Sequence, residues 1–71
     1  MIFDYRKLKG RIVEKFNTRN EFAESLGISA SSLYNKLSGR TEFTSDEIRQ
    51  ACGLLEIKPE EVYQYFFNFN V

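Results

Sequence analysis

Residues 18–39 read TRNEFAESLGISASSLYNKLSG, and this stretch decides the fold. Thr18 and Glu21 have the spacing of a capping box, in which each side chain binds the backbone N–H of the other residue. A helix is therefore predicted to start at Thr18. It ends at Gly27, because glycine adopts the left-handed conformation of a tight turn without steric cost.

A second helix follows this turn directly. Ser29 is suited to cap its N-terminus, Ala30, Leu33 and Leu37 mark its buried stripe, and Gly39 ends it. The helix thus spans about residues 29–38. Two short helices joined in this way form a helix-turn-helix.

Helices are also predicted on both sides of the motif. Residues 4–16 carry apolar side chains at steps of three and four, with Asp4 as the N-cap. A second capping box opens a helix over residues 44–56, and a proline at a first helical position opens another over residues 59–67. The sequence predicts an all-α fold, a compact five-helix domain over residues 1–71 in which helices 2 and 3 form the helix-turn-helix.

Composition excludes several classes of protein. With seven Phe and four Tyr among 71 residues, the chain can build a small aromatic core without cross-links. A single cysteine, Cys52, and no histidine leave no disulfide, metal site, cofactor site or activated nucleophile, so an enzyme is not expected. No apolar stretch is long enough for a membrane span or a signal peptide, which predicts a soluble cytoplasmic protein with no membrane partner and no small-molecule substrate.

The net charge of zero hides an uneven distribution. Residues 1–40 contain eight Lys or Arg and four acids, whereas residues 41–71 contain two and six. This split fits a protein with one face toward phosphates. The alternative is a chance split in which both sets only solubilise the surface, and the basic residues of the first helix fit either interpretation.

The outward face of the second motif helix carries the functional prediction. If Leu33 and Leu37 point inward, the helical period of 100° per residue turns a polar set outward, namely Ser31, Ser32, Asn35 and Lys36. Short side chains allow close approach to a major groove, an amide can pair with adenine, and a lysine can bind phosphate or guanine. An ordinary solvated helix more often mixes Glu and Lys on this face.

Residues 18–48 resemble the helix-turn-helix of the Cro and phage-repressor family. The continuation LSGRTEFTSDEI, residues 37–48, is similar to small regulators of phages of Gram-positive bacteria. The resemblance covers nearly the whole chain and is weakest over the last ten residues. It implies a lambda-repressor-like fold and sequence-specific binding of double-stranded operator DNA in the bacterial host cell.

The resemblance also implies which residues touch DNA. Family members contact bases through the first, second and sixth residues of the recognition helix, and with the helix-face argument the base-contacting set is Ala30, Ser31, Ser32 and Asn35. The phosphate-contacting set comprises Thr18, Arg19, Tyr34, Lys36, Arg40, Thr41 and Thr44. Lys36 departs from the family, which buries an apolar residue there, so a slight rotation of the helix is expected. The Tyr34 ring fits a DNA contact and partial cover by neighbouring helices equally well.

Two functional hypotheses remain open from the sequence. In the first, two copies bind operator half-sites as a homodimer assembled through the C-terminal aromatic residues Tyr65, Phe66, Phe67 and Phe69. In the second, the chain is an antirepressor-like regulator that uses the same scaffold to bind another repressor. The near-neutral charge supports the second hypothesis.

Overall fold

Five α-helices form the fold over residues 3–69, the part of the chain that this computed structural model describes. They are α1 (Arg6–Phe16), α2 (Arg19–Leu26), α3 (Ala30–Leu37), α4 (Ser45–Leu55) and α5 (Val62–Phe66). A 3-10 turn, Pro59–Glu61, leads into α5. The predicted all-α, five-helix fold with α2 and α3 as the helix-turn-helix is confirmed.

The core lies where α1 packs against α2, α4 and α5, and α2 carries α3 on its other side. Every helix contributes at least one side chain that is less than 2% exposed, and the largest of these are Leu8, Ile12, Phe22, Leu33, Leu55 and Phe66. Two of these six are phenylalanines. Aromatic rings therefore supply much of the buried area that so short a chain needs.

The turn between α2 and α3 is closed by backbone hydrogen bonds. Gly27 has φ +83°, and the N–H of Ile28 donates to the Ala23 carbonyl at 3.0 Å. Ser29 then accepts a hydrogen bond from the Ser32 N–H at 3.0 Å and caps α3. Because the end of one helix and the start of the next are both satisfied, the direction of α3 is fixed by local geometry.

Replacing Gly27 by alanine is expected to destabilise the protein by about 1–2 kcal/mol, the cost of a left-handed L-residue. Nothing lies within 4 Å of the added methyl group, so the cost is conformational. Gly10→Ala is the matched control: Gly10 lies inside α1 and is also in open space, and this change should stabilise by up to about 1 kcal/mol. Urea denaturation of both variants measures the difference. Equal effects would contradict the assigned turn.

The start of α1 differs from the prediction. Asp4 is not the N-cap residue, because α1 begins at Arg6 and Tyr5 occupies the cap position. Asp4 lies one position before the cap residue, and its Oδ1 accepts a hydrogen bond from the Arg6 N–H at 3.0 Å. Hydrogen bonds from the side chain and backbone of Arg6 lower the pKa of Asp4 to about 2. The carboxylate thus still satisfies one free N–H of the first turn.

The two predicted capping boxes have different outcomes. At α4 the box is complete, with Thr44 Oγ1 accepting from the Glu47 N–H at 3.1 Å and Glu47 Oε1 accepting from the Thr44 N–H at 2.9 Å. At α2 only half of it forms, with Thr18 Oγ1 accepting from the Glu21 N–H at 3.2 Å. The reciprocal bond predicted there is wrong, because the Thr18 N–H donates to the Phe16 carbonyl at 2.6 Å.

The C-terminal segment returns to the start of the chain. Phe69 forms an isolated antiparallel bridge with Phe3, and the two rings stack with centroids 5.0 Å apart. Tyr65 and Phe66 are 8% and 1% exposed, so their predicted place on a dimer surface is wrong: both rings belong to the core. Phe67 and Phe69 remain exposed. Across residues 3–69, no helix has the length and apolarity to cross a membrane.

Candidate functional site

The outward surface of α3 is short and polar. Leu33 and Leu37 are buried at 1% and 5% exposure, which fixes the rotation of the helix. Ala30, Ser31 and Tyr34 are exposed, and Ser32 and Asn35 are half-buried. We call these five residues the α3 face. The four residues predicted to contact bases therefore lie on one surface, while their contact with DNA stays a prediction.

Tyr34 dominates the α3 face. It is 59% exposed, so more than half of the residue faces solvent and the rest is covered by its neighbours. The nearby Asn35 side chain makes no hydrogen bond to any residue in the range 3–69, and its amide is free to bind a partner. A large aromatic ring beside an unsatisfied amide is suited to recognition of either a protein or a base.

Lys36 does not point outward with the α3 face. Its Nζ lies 3.0 Å from Glu47 Oε1, donates to the Glu42 carbonyl at 3.2 Å and sits 6.0 Å from the Phe43 ring centre. The side chain is 12% exposed. The predicted outward placement of Lys36 is wrong, because the N-terminus of α4 carries a carboxylate within reach of this edge of α3.

Glu47 connects α3 to α4. Partial burial raises the pKa of Glu47, but the Thr44 N–H and the Lys36 ammonium outweigh it, and the pKa lies below the ordinary 4.5. The carboxylate therefore stays charged at neutral pH. It also occupies the Thr44 amide, one of the groups that the predicted phosphate site at Thr44 would have used.

Replacing Lys36 by methionine is expected to lower the free energy of unfolding by about 1–2 kcal/mol, because a charge-assisted hydrogen bond to Glu47 is lost. Since the folded-state pKa of Glu47 is depressed, this contribution is complete above pH 4.5 and disappears as the pH falls through the folded value. Urea denaturation at pH 7 and pH 3 should give a smaller difference at pH 3. Lys36→Arg, which keeps the charge, is the control, and a pH-independent difference would contradict the ion pair.

Most of the positive charge of residues 1–40 lies on α1 and is already paired. Four of its five cations contact partners within the described chain: Arg6 with Asp4 at 2.8 Å, Lys7 with Gln64 at 2.6 Å, Arg11 with the Leu55 carbonyl at 2.9 Å and Lys15 with Glu56 at 2.7 Å. α1 packs against α2, α4 and α5. These pairs lie along α1 and toward α4 and α5, and none involves α3.

The helix-turn-helix carries no net positive charge. Residues 18–39 contain two basic and two acidic residues, and residues 18–47, which add the loop after α3 and the start of α4, contain three and five, a net charge of −2. Lys36 is one of the three cations and is neutralised by Glu47, which leaves Arg19 and Arg40 exposed. The uneven charge along the chain therefore does not give the motif a positive surface.

The remaining predicted phosphate contacts surround the α3 face. Thr18, Arg19, Arg40 and Thr41 are all exposed. The N–H groups of Arg40 and Thr41 both donate to the Asn35 carbonyl, at 2.9 and 3.3 Å, so the loop after α3 folds back on its last turn. Arg40 and Thr41 thus begin close to the α3 face, and their contact with phosphates stays a prediction.

Sequence reasoning missed a pocket beside this loop. A cavity of about 110 Å³ is lined by five aromatic residues, one aliphatic residue and one acid, namely Phe3, Tyr5, Phe43, Phe66, Phe67, Ile48 and Glu42. We call it the aromatic pocket. The high aromatic content was its only sequence signal. Among residues 3–69 no group of three or more His, Cys, Asp or Glu side chains could hold a metal ion.

Two comparisons with known proteins give a match, one to a family and one to a solved structure. A family model described as "Protein of unknown function (DUF739)" matches residues 1–69. The chain is similar to the solution structure of the modulator of repression (MOR) of the temperate bacteriophage TP901-1 from Lactococcus lactis, with 38% identity and a TM-score of 0.82. The match covers 96% of this chain and 92% of that one. No curated protein matches. This structural match confirms the predicted similarity to small phage regulators.

Proposed function

We propose that this chain, which belongs to the DUF739 family, modulates phage repression in the host cytoplasm by binding a repressor protein through its α3 face. The observation that carries the proposal is a helix-turn-helix without an excess of cations, whose α3 face presents the exposed ring of Tyr34. The similar phage protein is itself named a modulator of repression, and a protein with that role acts on a repressor or on its operator.

Charge favours the repressor as the binding partner. A DNA-binding repressor presents Arg and Lys to phosphates, so its surface is basic where it meets DNA. Residues 18–47, with a net charge of −2, attract such a surface and repel a phosphate backbone, and the helix-turn-helix within them has no excess of cations. Exposed tyrosines are also enriched at the energetic centres of protein interfaces.

Operator DNA is the second candidate. It is favoured by the short side chains at the start of α3, by the free Asn35 amide and by the resemblance of residues 18–48 to Cro and phage repressors. In that case Ala30, Ser31, Ser32 and Asn35 read the major groove, Arg19 and Arg40 bind phosphates, and two copies bind adjacent half-sites.

Two titrations of the purified chain separate the candidates. Calorimetry with the repressor of the same phage should give a stoichiometric complex, whereas selection from a random duplex pool should recover no preferred sequence. If operator binding were the function, the selected duplex would bind with log K falling against log salt at a slope of about −5, for about six phosphate contacts. A selected duplex with that slope, together with no heat change on adding the repressor, would refute the proposal.

A further inference from the structure

The aromatic pocket is large enough for the terminal group of one side chain. Its volume of about 110 Å³ is smaller than the cavity of ~150 Å³ that accommodates benzene in an engineered core. Its rings meet edge to face: Tyr5 with Phe43 at 5.6 Å, Phe43 with Phe66 at 5.3 Å and Phe3 with Phe67 at 5.8 Å between centroids. These contacts keep the pocket walls in place, so the pocket is formed before any ligand arrives.

Glu42 gives the pocket a negative charge. Its side chain is exposed, and the carboxylate forms no ion pair with any residue between 3 and 69. Lys36 donates to the main-chain carbonyl of Glu42, while its own charge is balanced by Glu47 at 3.0 Å. Burial raises the pKa of Tyr5, and the charge of Glu42 raises it further, which indicates that the carboxylate acts on the pocket wall.

The protein already places cations on aromatic rings. The Lys36 ammonium lies 6.0 Å from the centre of the Phe43 ring, and the Lys7 ammonium lies 5.0 Å from the centre of the Tyr65 ring. Ring faces attract cations because their quadrupole is negative there. Five rings with an unpaired carboxylate at the rim therefore favour a cationic group over a neutral apolar one of the same size.

We propose that the aromatic pocket binds one arginine side chain of a protein partner, with its guanidinium against the rings and its N–H groups donating to the Glu42 carboxylate. Arginine suits the site better than lysine, because the guanidinium is planar, weakly hydrated and able to bind a carboxylate through two hydrogen bonds. The identification of the partner as a repressor rests on the proposed function. The preference of the pocket for arginine rests only on the residues that line it.

The test uses short peptides as probes, so that it does not depend on repressor binding. Blocked alanine pentapeptides with arginine, citrulline or leucine at the centre are titrated into the 15N- and 13C-labelled chain, and aromatic resonances of Phe43 and Phe67 are followed by NMR. The arginine peptide should bind with a millimolar dissociation constant, and citrulline, which has the same shape without charge, about tenfold more weakly.

Glu42→Gln should lower the affinity for the arginine peptide about fivefold. Glu60→Gln, which makes the same charge change outside the pocket, should leave this affinity unchanged. Equal affinity for the leucine and arginine peptides would overturn the proposal in favour of an apolar ligand. Perturbations confined to residues outside the pocket, or none for any peptide, would overturn it entirely. A repressor that fails to bind while the arginine peptide binds would refute the proposed function and leave the pocket assignment intact.

Discussion

Replacing Tyr34 by alanine is expected to weaken binding of the repressor about 30-fold, a loss of about 2 kcal/mol. Tyr34 is 59% exposed on the α3 face, and a tyrosine buried by a partner there removes a large area from water. The change should affect stability much less than binding, since more than half of the residue faces solvent in the free protein. Calorimetry and urea denaturation measure the two quantities separately.

Tyr63 provides a matched control for this experiment. It is 62% exposed and lies on α5, so Tyr63→Ala removes the same ring from a different part of the surface. Repressor affinity should not change. If Tyr63→Ala weakened binding and Tyr34→Ala did not, the interface would lie at the aromatic C-terminal segment, and the α3 face would not be the binding surface.

The helix-turn-helix was predictable because its determinants are local. Thr18, Ser29 and Thr44 cap the helices that follow them, and Gly27 turns the chain between two of those helices. Each of these features depends on hydrogen bonds within about five residues, which spacing in the sequence reveals. The same short-range periodicity gave three of the five members of the α3 face, Ser31, Ser32 and Asn35. It wrongly placed Ala30 on the buried stripe, although Ala30 is exposed, and it did not decide the position of Tyr34.

Apart from the two local capping errors at Asp4 and Thr18, the errors concern contacts between distant residues. Lys36 reaches Glu47 on another helix, and Phe3 pairs with Phe69 across almost the whole chain. Helical periodicity places a residue on a face but does not show which neighbouring element meets that face. The aromatic pocket was missed for this reason, because its walls come from both ends of the chain and from the loop after α3.

The charge prediction failed for a related reason. A count over residues 1–40 gave an excess of cations, and most of them belong to α1, where Arg11 and Lys15 bind the C-terminal end of α4. An excess of cations along the chain forms a binding surface for phosphates only where the cations are exposed and unpaired. The functional proposal accordingly depends on the net charge around the motif, which is zero over residues 18–39 and −2 over residues 18–47.

Phe66→Ala is expected to have the largest effect on stability, about 3–5 kcal/mol. Phe66 is 1% exposed and packs edge to face against Phe43 with centroids 5.3 Å apart. At about 0.05–0.15 kcal/mol per residue, a chain of 71 residues has only about 4–10 kcal/mol in total, so the variant should be marginally folded at 25 °C. Urea denaturation followed by circular dichroism measures the loss.

The neighbouring Phe67 is the matched control, since it is 37% exposed and Phe67→Ala should cost only about 1 kcal/mol. Phe66→Leu, which keeps most of the volume, should recover much of the loss. Because Phe43 follows Glu42 and lies under Lys36, loss of the Phe66 ring should also loosen the loop that holds the end of α3 against α4. Amide exchange should therefore rise at residues 40–44 as well as in α5. Equal destabilisation by Phe66→Ala and Phe67→Ala would mean that the assigned burial of these two rings is wrong.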